Sequence, residues 1–104
     1  MSDQNAARIF RLGLQGMENL DEDERVSCSY MNLGYMRIFE TLHYQYGAGV
    51  LEEKLFAAEL NTLKWSFANP GVRQWWAGNP ISFSTEYRAF IDGLIRDAQE
   101  KGAP

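Results

Sequence analysis

Apolar residues recur at intervals of three and four along almost the whole chain, and this spacing constrains the fold more than any other feature. A period of about 3.6 residues places these side chains on one face of an α-helix. The chain has 104 residues, a length that suits one small domain burying roughly 65% of the surface that the unfolded chain exposes. The sequence therefore predicts an all-α fold with a single helical-bundle domain over residues 1–104.

The first two helices follow from periodicity and from their start and stop signals. The first is predicted over about residues 4–19, with Gly13 and Gly16 on one strip allowing another helix to approach closely. Asp21 and Glu24 are typical of a capping box, in which side-chain oxygens accept the free N–H groups of the first helical turn. The second helix then runs to about Tyr46. Its apolar positions lie on more than one side, and we expect it to be the most buried element; they are Met31, Tyr35, Ile38, Leu42 and Tyr46, with Tyr30, Leu33 and Met36 beside them.

Three further helices complete the prediction. The third begins near Val50 and stops before Asn69, which we interpret as the cap of a short helix from Pro70 to Gly78. The segment ISFSTEY alternates like a strand, but a helix start at Ser84 fits better with the apolar spacing that follows. Short connections between three long helices, a short one and a C-terminal one indicate a small antiparallel bundle, with the short helix across one end and a fraying tail.

The short helix contains two adjacent tryptophans, Trp75 and Trp76. Neighbouring helical side chains point about 100° apart, so we expect one indole to face the bundle and the other to be half-exposed. Fourteen aromatic residues are many for so small a domain, and exposed apolar patches mark contacts with partners. The sequence therefore predicts self-association, most simply as a homodimer, through an interface formed by Trp75, Trp76, Phe83 and Tyr87.

Charge and cysteine content exclude several classes of protein. Fourteen acidic and ten basic residues give a net charge of -4, and the seven arginines are scattered along the chain, which argues against a nucleic-acid partner. Cys28 is the only cysteine, so neither an intrachain disulfide nor a cysteine-based zinc site can form. No signal peptide or apolar span is evident. We expect a soluble, cytoplasmic chain that does not insert into a membrane.

Four segments, NLDEDER, FETLHYQYGAGVL, NPGVRQWW and FSTEYRAFID, together resemble the soluble C-terminal region of a family of uncharacterised bacterial helical proteins. The resemblance covers about residues 6–95. It implies a helical fold and supplies no activity. Members of that family often carry an upstream membrane anchor, so the resemblance implies membrane association if such a segment precedes this chain. After the tryptophan pair this sequence departs from the family pattern, with Ala77-Gly78-Asn79-Pro80 in place of an acidic or aromatic residue.

One helical constellation points to chemistry. Glu40 and His43 are three residues apart on one helix face, the spacing found in di-iron carboxylate bundles, but such a site needs a second copy of the motif and further inward carboxylates. With a single histidine, we predict no metal and no cofactor. The simpler interpretation is a half-buried His43 hydrogen-bonded to a neighbour such as a tyrosine hydroxyl, and a Glu40 paired with an arginine.

Arginines in aromatic surroundings raise the same choice between a structural role and a ligand-binding role. Arg73 and Arg88 would either join Arg37 and the nearby carboxylates Glu40, Glu86 and Asp92 in a polar network, including an Arg88–Asp92 pair, or form an anion pocket. Two functions thus stay open. The first is a non-enzymatic interaction or scaffold module that self-associates. The second is a ligand- or metal-binding bundle, with enzymatic activity as a further option, whose candidate ligand residues are Glu40, His43, Tyr44, Arg73 and Arg88.

Overall fold

The computed structural model describes residues 3–79 and 82–100. Within them all regular secondary structure is helical, without strands, which confirms the predicted all-α class. A 3-10 helix at Met17–Asn19 joins the first two of five α-helices. These are α1 (Asp3–Gln15), α2 (Glu22–Gly47), α3 (Glu53–Phe67), α4 (Pro70–Gly78) and α5 (Thr85–Glu100). The tail from Lys101, predicted to fray, lies outside the described residues.

The start of α2 is fixed as the sequence predicts. The Asp21 carboxylate accepts the Glu24 backbone N–H at 2.8 Å, and the Glu24 carboxylate accepts the Asp21 N–H at 3.0 Å, which completes the capping box. Glu24 also pairs with Arg8 of α1. The pKa of Glu24 is lowered, first by the backbone hydrogen bond with Asp21 and then by Arg8. One carboxylate therefore caps α2 and ties α1 to it.

Two helix boundaries differ from the prediction. The first helix ends at Gln15 rather than near residue 19, because Gly16 adopts an extended backbone and the Met17 N–H donates to the Gln74 side chain at 2.9 Å instead of continuing the helix. The third helix begins at Glu53 rather than near Val50. The Val50 N–H donates to the Gln45 carbonyl and so belongs to the turn that closes α2.

The connection between α3 and α4 is capped from an unexpected side. The Asn69 amide donates to the Trp65 and Ser66 carbonyls at 2.9 and 3.3 Å, so it satisfies the end of α3. Asn69 is the N-cap residue of α4, as predicted, although its side chain makes no capping hydrogen bond there. Pro70 still begins α4, where its fixed backbone geometry favours the first helical turn.

Glycines bring α4 directly onto α1. A Cβ atom on Gly71 would lie 1.6 Å from the Gly13 carbonyl oxygen, and one on Gly13 would lie 2.6 Å from the Cys28 sulfur of α2. Both distances are far below van der Waals contact, so no larger residue fits. The close approach predicted at Gly13 is confirmed, and the contact between Gly13 of α1 and Gly71 of α4 is the tightest backbone contact among the described glycines. At Gly16, which lies beyond the end of α1, the atoms nearest to an added Cβ belong to the Glu18 side chain rather than to another α-helix.

Most of the core lies where α2, α3, α4 and α5 meet. Its buried side chains are Met36, Phe39, Leu63, Phe67, Val72, Trp75, Trp76, Phe83, Tyr87 and Ile91. A smaller cluster of Ile9, Leu20 and Cys28 lies under α1. Within the described ranges, none of the helices combines the length and the apolar character that a membrane span requires.

The expectation that α2 is the most buried element is wrong. Four of its 26 residues are buried, whereas four of the nine residues of α4 are. The buried face of α2 follows Cys28, Asn32, Met36 and Phe39, and the predicted stripe is rotated away from it, with Tyr35 and Ile38 more than half exposed. An excess of apolar residues around a helix therefore did not indicate burial on all sides.

The expectation of one half-exposed tryptophan in α4 is also wrong. Trp75 and Trp76 are 4% and 3% exposed. The Trp75 indole N–H donates to the Ser29 hydroxyl of α2 at 2.7 Å, and the Trp76 N–H donates to the Asp92 carboxylate of α5 at 2.9 Å. Both indoles are covered because this short helix contacts neighbours in two directions.

The other two side chains of the predicted interface, Phe83 and Tyr87, are also buried. Trp76 contacts both rings, with centroid distances of 5.2 Å to Phe83 and 6.1 Å to Tyr87. Phe83 and Tyr87 contact each other at 5.6 Å. The interface predicted at Trp75, Trp76, Phe83 and Tyr87 is therefore corrected: these residues form internal core, and none of them is available to a partner while the core is intact.

Candidate functional site

Glu40 links the middle of α2 to the start of α5. One carboxylate oxygen accepts a hydrogen bond from Arg37 at 2.7 Å, and the other accepts the Ser84 backbone N–H at 2.8 Å. The Arg37 guanidinium also lies over the Phe83 ring, 4.9 Å from its centroid. The predicted arginine partner of Glu40 is thus confirmed. Because both oxygens are engaged, this carboxylate holds the chain together rather than standing free for a ligand.

His43 is half-buried, as predicted, but its surroundings are aromatic. Its ring centroid lies 4.5 Å from that of Phe90, 5.7 Å from Tyr87 and 6.3 Å from Phe56. The expected hydrogen bond from a tyrosine hydroxyl is absent in the described ranges, since the Tyr87 hydroxyl is directed at the Met36 sulfur at 3.7 Å. Burial lowers the pKa of His43, while the carboxylates of Glu40 and Glu86 oppose that shift. Burial also raises the pKa of Tyr87.

An open cleft of 740 Å³, here called the Glu40 cleft, lies beside this cluster. It brings together three of the five predicted ligand residues, Glu40, His43 and Tyr44, next to Ser84 and Glu86 of the α5 start. Among residues 3–79 and 82–100, no group of three or more histidine, cysteine or carboxylate side chains is placed to hold a metal ion.

The two predicted arginines lie elsewhere. Arg73 donates to the Phe67 carbonyl at 2.8 Å and lines a separate cleft beside Asp92. Arg88 donates to the Thr85 hydroxyl at 3.2 Å, while its buried Nε has no partner in the described part of the chain. The predicted Arg88–Asp92 pair is wrong, because Asp92 accepts the Trp76 indole N–H. The five predicted ligand residues therefore do not form one site.

A second depression, here called the aromatic groove, was not predicted. It has a volume of 250 Å³ and lies where α1, α2, α3 and the start of α4 meet. Its lining is apolar except for three uncharged polar residues. The lining residues are Phe10, Leu14, Asn32, Tyr35, Met36, Phe39, Thr62, Trp65, Ser66 and Val72.

Two large aromatic side chains flank the aromatic groove and face solvent. Trp65 of α3 is 56% exposed and Tyr35 of α2 is 54% exposed. The Tyr35 ring lies 6.3 Å from that of Phe10 on α1. Exposed tryptophan and tyrosine are enriched at protein interfaces, because they provide a large contact area at little cost in conformational entropy. The groove therefore has the composition of a contact surface.

Asn32 is the buried polar residue of the aromatic groove and is only 6% exposed. Its amide nitrogen donates to the Cys28 sulfur at 3.8 Å, a weak interaction. Its side-chain oxygen has no hydrogen-bond partner among the described residues, yet it is not sealed from solvent. Asn32 thus presents an amide acceptor in a mostly apolar recess, whose other two polar side chains are the hydroxyls of Thr62 and Ser66.

The sequence did contain a signal for this groove. Trp65 does not belong to the apolar stripe of α3 at Phe56, Leu60, Leu63 and Phe67; it lies two positions from each of the last two, on another helix face. A tryptophan off the core stripe of an amphipathic helix points away from the core.

Comparison with protein-family models, curated proteins and solved structures finds no match to this chain.

Proposed function

We propose that this protein is a non-enzymatic helical interaction module that forms a homodimer through the aromatic groove. The observation that carries the proposal is the exposure of Trp65, at 56%, beside an apolar recess that no described side chain fills. A large indole held in water next to an apolar groove is removed from water when two such surfaces meet, and this burial is the main driving force of association.

Charge supports a second copy as the occupant. Each chain carries a net charge of -4, so two copies repel each other wherever their charged faces meet. The described residues lining the groove include no Asp, Glu, Lys, Arg or His. A charge-free face is where two acidic chains approach with the least repulsion.

Size supports a side chain rather than a free small molecule. The groove volume of 250 Å³ is below the range of about 300–1,000 Å³ that is usual for small-molecule sites. A single aromatic side chain is a better match. In a two-fold dimer the same surface serves both copies, so a protruding Trp65 and a neighbouring recess are self-complementary.

Analytical ultracentrifugation over a range reaching several tens of micromolar tests the proposal. We expect the wild-type chain to sediment as a dimer at the upper end of this range and Trp65→Ala to shift the equilibrium toward monomer. Tyr44→Ala is the matched control, since Tyr44 is a 75% exposed aromatic residue outside the groove. A wild-type chain that stays monomeric throughout contradicts the proposal, as does equal weakening by both substitutions.

The cellular setting is part of the same proposal. The resemblance of its motifs to bacterial helical proteins supports a bacterial protein, and a single unpaired cysteine, Cys28, suits the reducing cytoplasm. Fractionation of cells expressing the full gene product tests this placement. Recovery in the membrane fraction would point instead to an anchor outside the chain described.

A second candidate function is the binding of a small ligand in the Glu40 cleft. Its volume of 740 Å³ lies within the usual range for ligand sites, and the side chains of His43, Tyr44 and Glu86 have no hydrogen-bond partner in the described ranges. The engagement of both Glu40 oxygens favours a structural role, which is why this candidate comes second. Native mass spectrometry of protein purified without chelator distinguishes the two, because it reports retained ligand and subunit number together.

A further inference from the structure

We infer that Trp65 of one copy enters the aromatic groove of the other and donates its indole N–H to the Asn32 side-chain oxygen there. The inference rests on the proposed self-association and names the polar contact that makes it specific. By two-fold symmetry the bond would occur twice, once in each groove.

The donor is identified by the three tryptophans of the chain. Trp75 and Trp76 donate their indole N–H groups to Ser29 and Asp92 within the chain. The Trp65 N–H has no partner among residues 3–79 and 82–100. A buried indole N–H normally has an acceptor, but the Trp65 indole is not buried in the single chain. Its burial in a dimer therefore requires an acceptor on the partner.

The acceptor is identified by the groove itself. Asn32 is buried, its amide nitrogen is turned toward Cys28, and its oxygen has no partner in the described ranges. This oxygen is not sealed from solvent, so water can hydrate it in the single chain, and an occupant that displaces the water without donating a hydrogen bond would leave it unsatisfied. Asn32 and Trp65 both line the aromatic groove, so the unpaired donor and the unpaired acceptor belong to the same surface.

The polar contact explains why a mostly apolar groove contains an asparagine. An apolar recess accepts any hydrophobic group, whereas a buried acceptor penalises an occupant that cannot donate a hydrogen bond. A single buried asparagine is also a known means of fixing the register of helical assemblies. Asn32 thus selects an indole over a phenyl ring and fixes the orientation of the two copies.

A double-mutant cycle measures the inferred bond. Trp65→Phe keeps an aromatic ring and removes the N–H, and Asn32→Leu replaces the amide with an apolar side chain of similar size. In a homodimer each substitution removes the bond from both grooves, so we expect each to weaken dimerisation about thirtyfold, the effect of two net hydrogen bonds. Because both remove the same bond, the double variant should weaken dimerisation by much less than the product of the two single effects.

Nuclear magnetic resonance provides a readout that does not depend on an Asn32 variant. In a 15N-labelled chain each tryptophan gives one indole N–H signal, and Trp65→Phe identifies the signal of residue 65. We expect this signal to move downfield and to exchange more slowly with solvent as the protein concentration rises. The signals of Trp75 and Trp76, already hydrogen-bonded, should stay in place and serve as internal controls.

The possible outcomes separate this inference from the proposed function. A monomeric wild-type chain contradicts both. A dimer whose affinity is unchanged in Trp65→Phe, or whose cycle is additive, leaves self-association intact and overturns the Asn32–Trp65 bond. Protection of the Trp65 indole at every concentration, including in the monomer, also overturns it, because the indole would then fill the groove of its own chain.

Discussion

The tryptophan pair of α4 and the single tryptophan at the end of α3 are close in sequence but differ completely in environment. Trp75 and Trp76 are buried with both N–H groups paired, whereas Trp65 is more than half exposed and its N–H has no partner in the described part of the chain. The difference lies in what surrounds each indole edge. Ser29 and Asp92 supply acceptors at the two buried edges, whereas no acceptor among residues 3–79 and 82–100 meets the Trp65 N–H. In this chain a tryptophan is part of the core where its indole N–H has an acceptor.

The helices that carry these side chains differ in the same way. The nine residues of α4 include four buried positions, and the 26 residues of α2 include no more than that. The short helix is enclosed because neighbours cover it in more than one direction. The long helix packs along one face and leaves an aromatic face in water. The short helix therefore contributes mainly to the core, whereas α2 contributes to the core on one face and to the proposed contact surface on another, and the following experiments test that difference.

The largest effect on stability is expected from adding a side-chain atom at the contact between α4 and α1, on which the burial of α4 depends. Gly71→Ala places a Cβ atom 1.6 Å from the Gly13 carbonyl oxygen, and neither backbone can yield without moving a helix. We expect it to lower the free energy of unfolding by at least about 5 kcal/mol, enough to unfold a marginal domain. Denaturant unfolding measures this.

Gly34→Ala is the matched control for that experiment. Gly34 lies in α2, and a Cβ atom there meets nothing within 4 Å. Because alanine favours helix more than glycine does, we expect a gain of about 1 kcal/mol or less. Equal effects of the two substitutions would show that α4 does not pack on α1 as described.

The second largest effect on stability is expected from truncating a tryptophan of the buried pair, and the same truncation at Trp65 provides the direct comparison. Trp76→Ala removes a buried indole and should cost about 3–5 kcal/mol. Trp65→Ala, measured at a concentration low enough to keep the chain monomeric, should change stability by no more than about 0.5 kcal/mol. Chemical unfolding followed by circular dichroism compares them. A large loss in Trp65→Ala would place this side chain in the monomer core and remove it from the contact surface.

A smaller effect is expected from the carboxylate that positions α5 against the tryptophan pair. Glu40→Gln weakens both the Arg37 pair and the acceptor for the Ser84 N–H, and we expect a loss of about 1–2 kcal/mol. Glu86→Gln is the control, since Glu86 is exposed and makes no such bond in the described ranges. If thermal unfolding gives the same midpoint for both variants, Glu40 does not anchor α5.

The smallest effect is a dependence of stability on pH through His43. Burial lowers the pKa of this side chain in the folded state, so the unfolded chain binds the proton more readily. The free energy of unfolding should therefore fall as the pH is lowered from about 7.5 to about 5, with full stability at the upper end. As the only histidine, it can be tested cleanly. Substitution by phenylalanine should flatten this part of the profile, and a steeper or unchanged slope would contradict the assignment.

Local signals predicted most of the helices, and tertiary contacts explain what they missed. The capping box at Asp21 and the proline at position 70 act within one turn, so sequence revealed them. The end of α1 depends on Gln74, which is 57 positions from its partner Met17, and no local pattern contains that contact.

The site predictions failed for a related reason. Helical spacing correctly placed Glu40 and His43 on one face, and it correctly gave Glu40 an arginine partner. Spacing could not tell which of the several apolar faces of α2 meets the core. Tyr35 and Met36 both fit the apolar pattern, yet Met36 is buried and Tyr35 is exposed. The hydrogen-bond partners of Trp75 and Trp76 likewise depend on packing between helices.

The stacked rings at the α2–α3 turn bear on the order in which the chain assembles. Tyr46 and Phe56 lie parallel at 4.1 Å, an interplanar angle of 5°, and only ten positions separate them. Closing so short a loop loses little chain entropy, whereas the contact of Trp75 with Ser29 must close a loop of 46 residues. The α2–α3 hairpin is therefore expected to form early, as a template that already displays Tyr35 and Trp65. The tryptophan pair docks afterwards, so the two exposed aromatic side chains of the proposed contact surface come together before the aromatic groove and the core are complete.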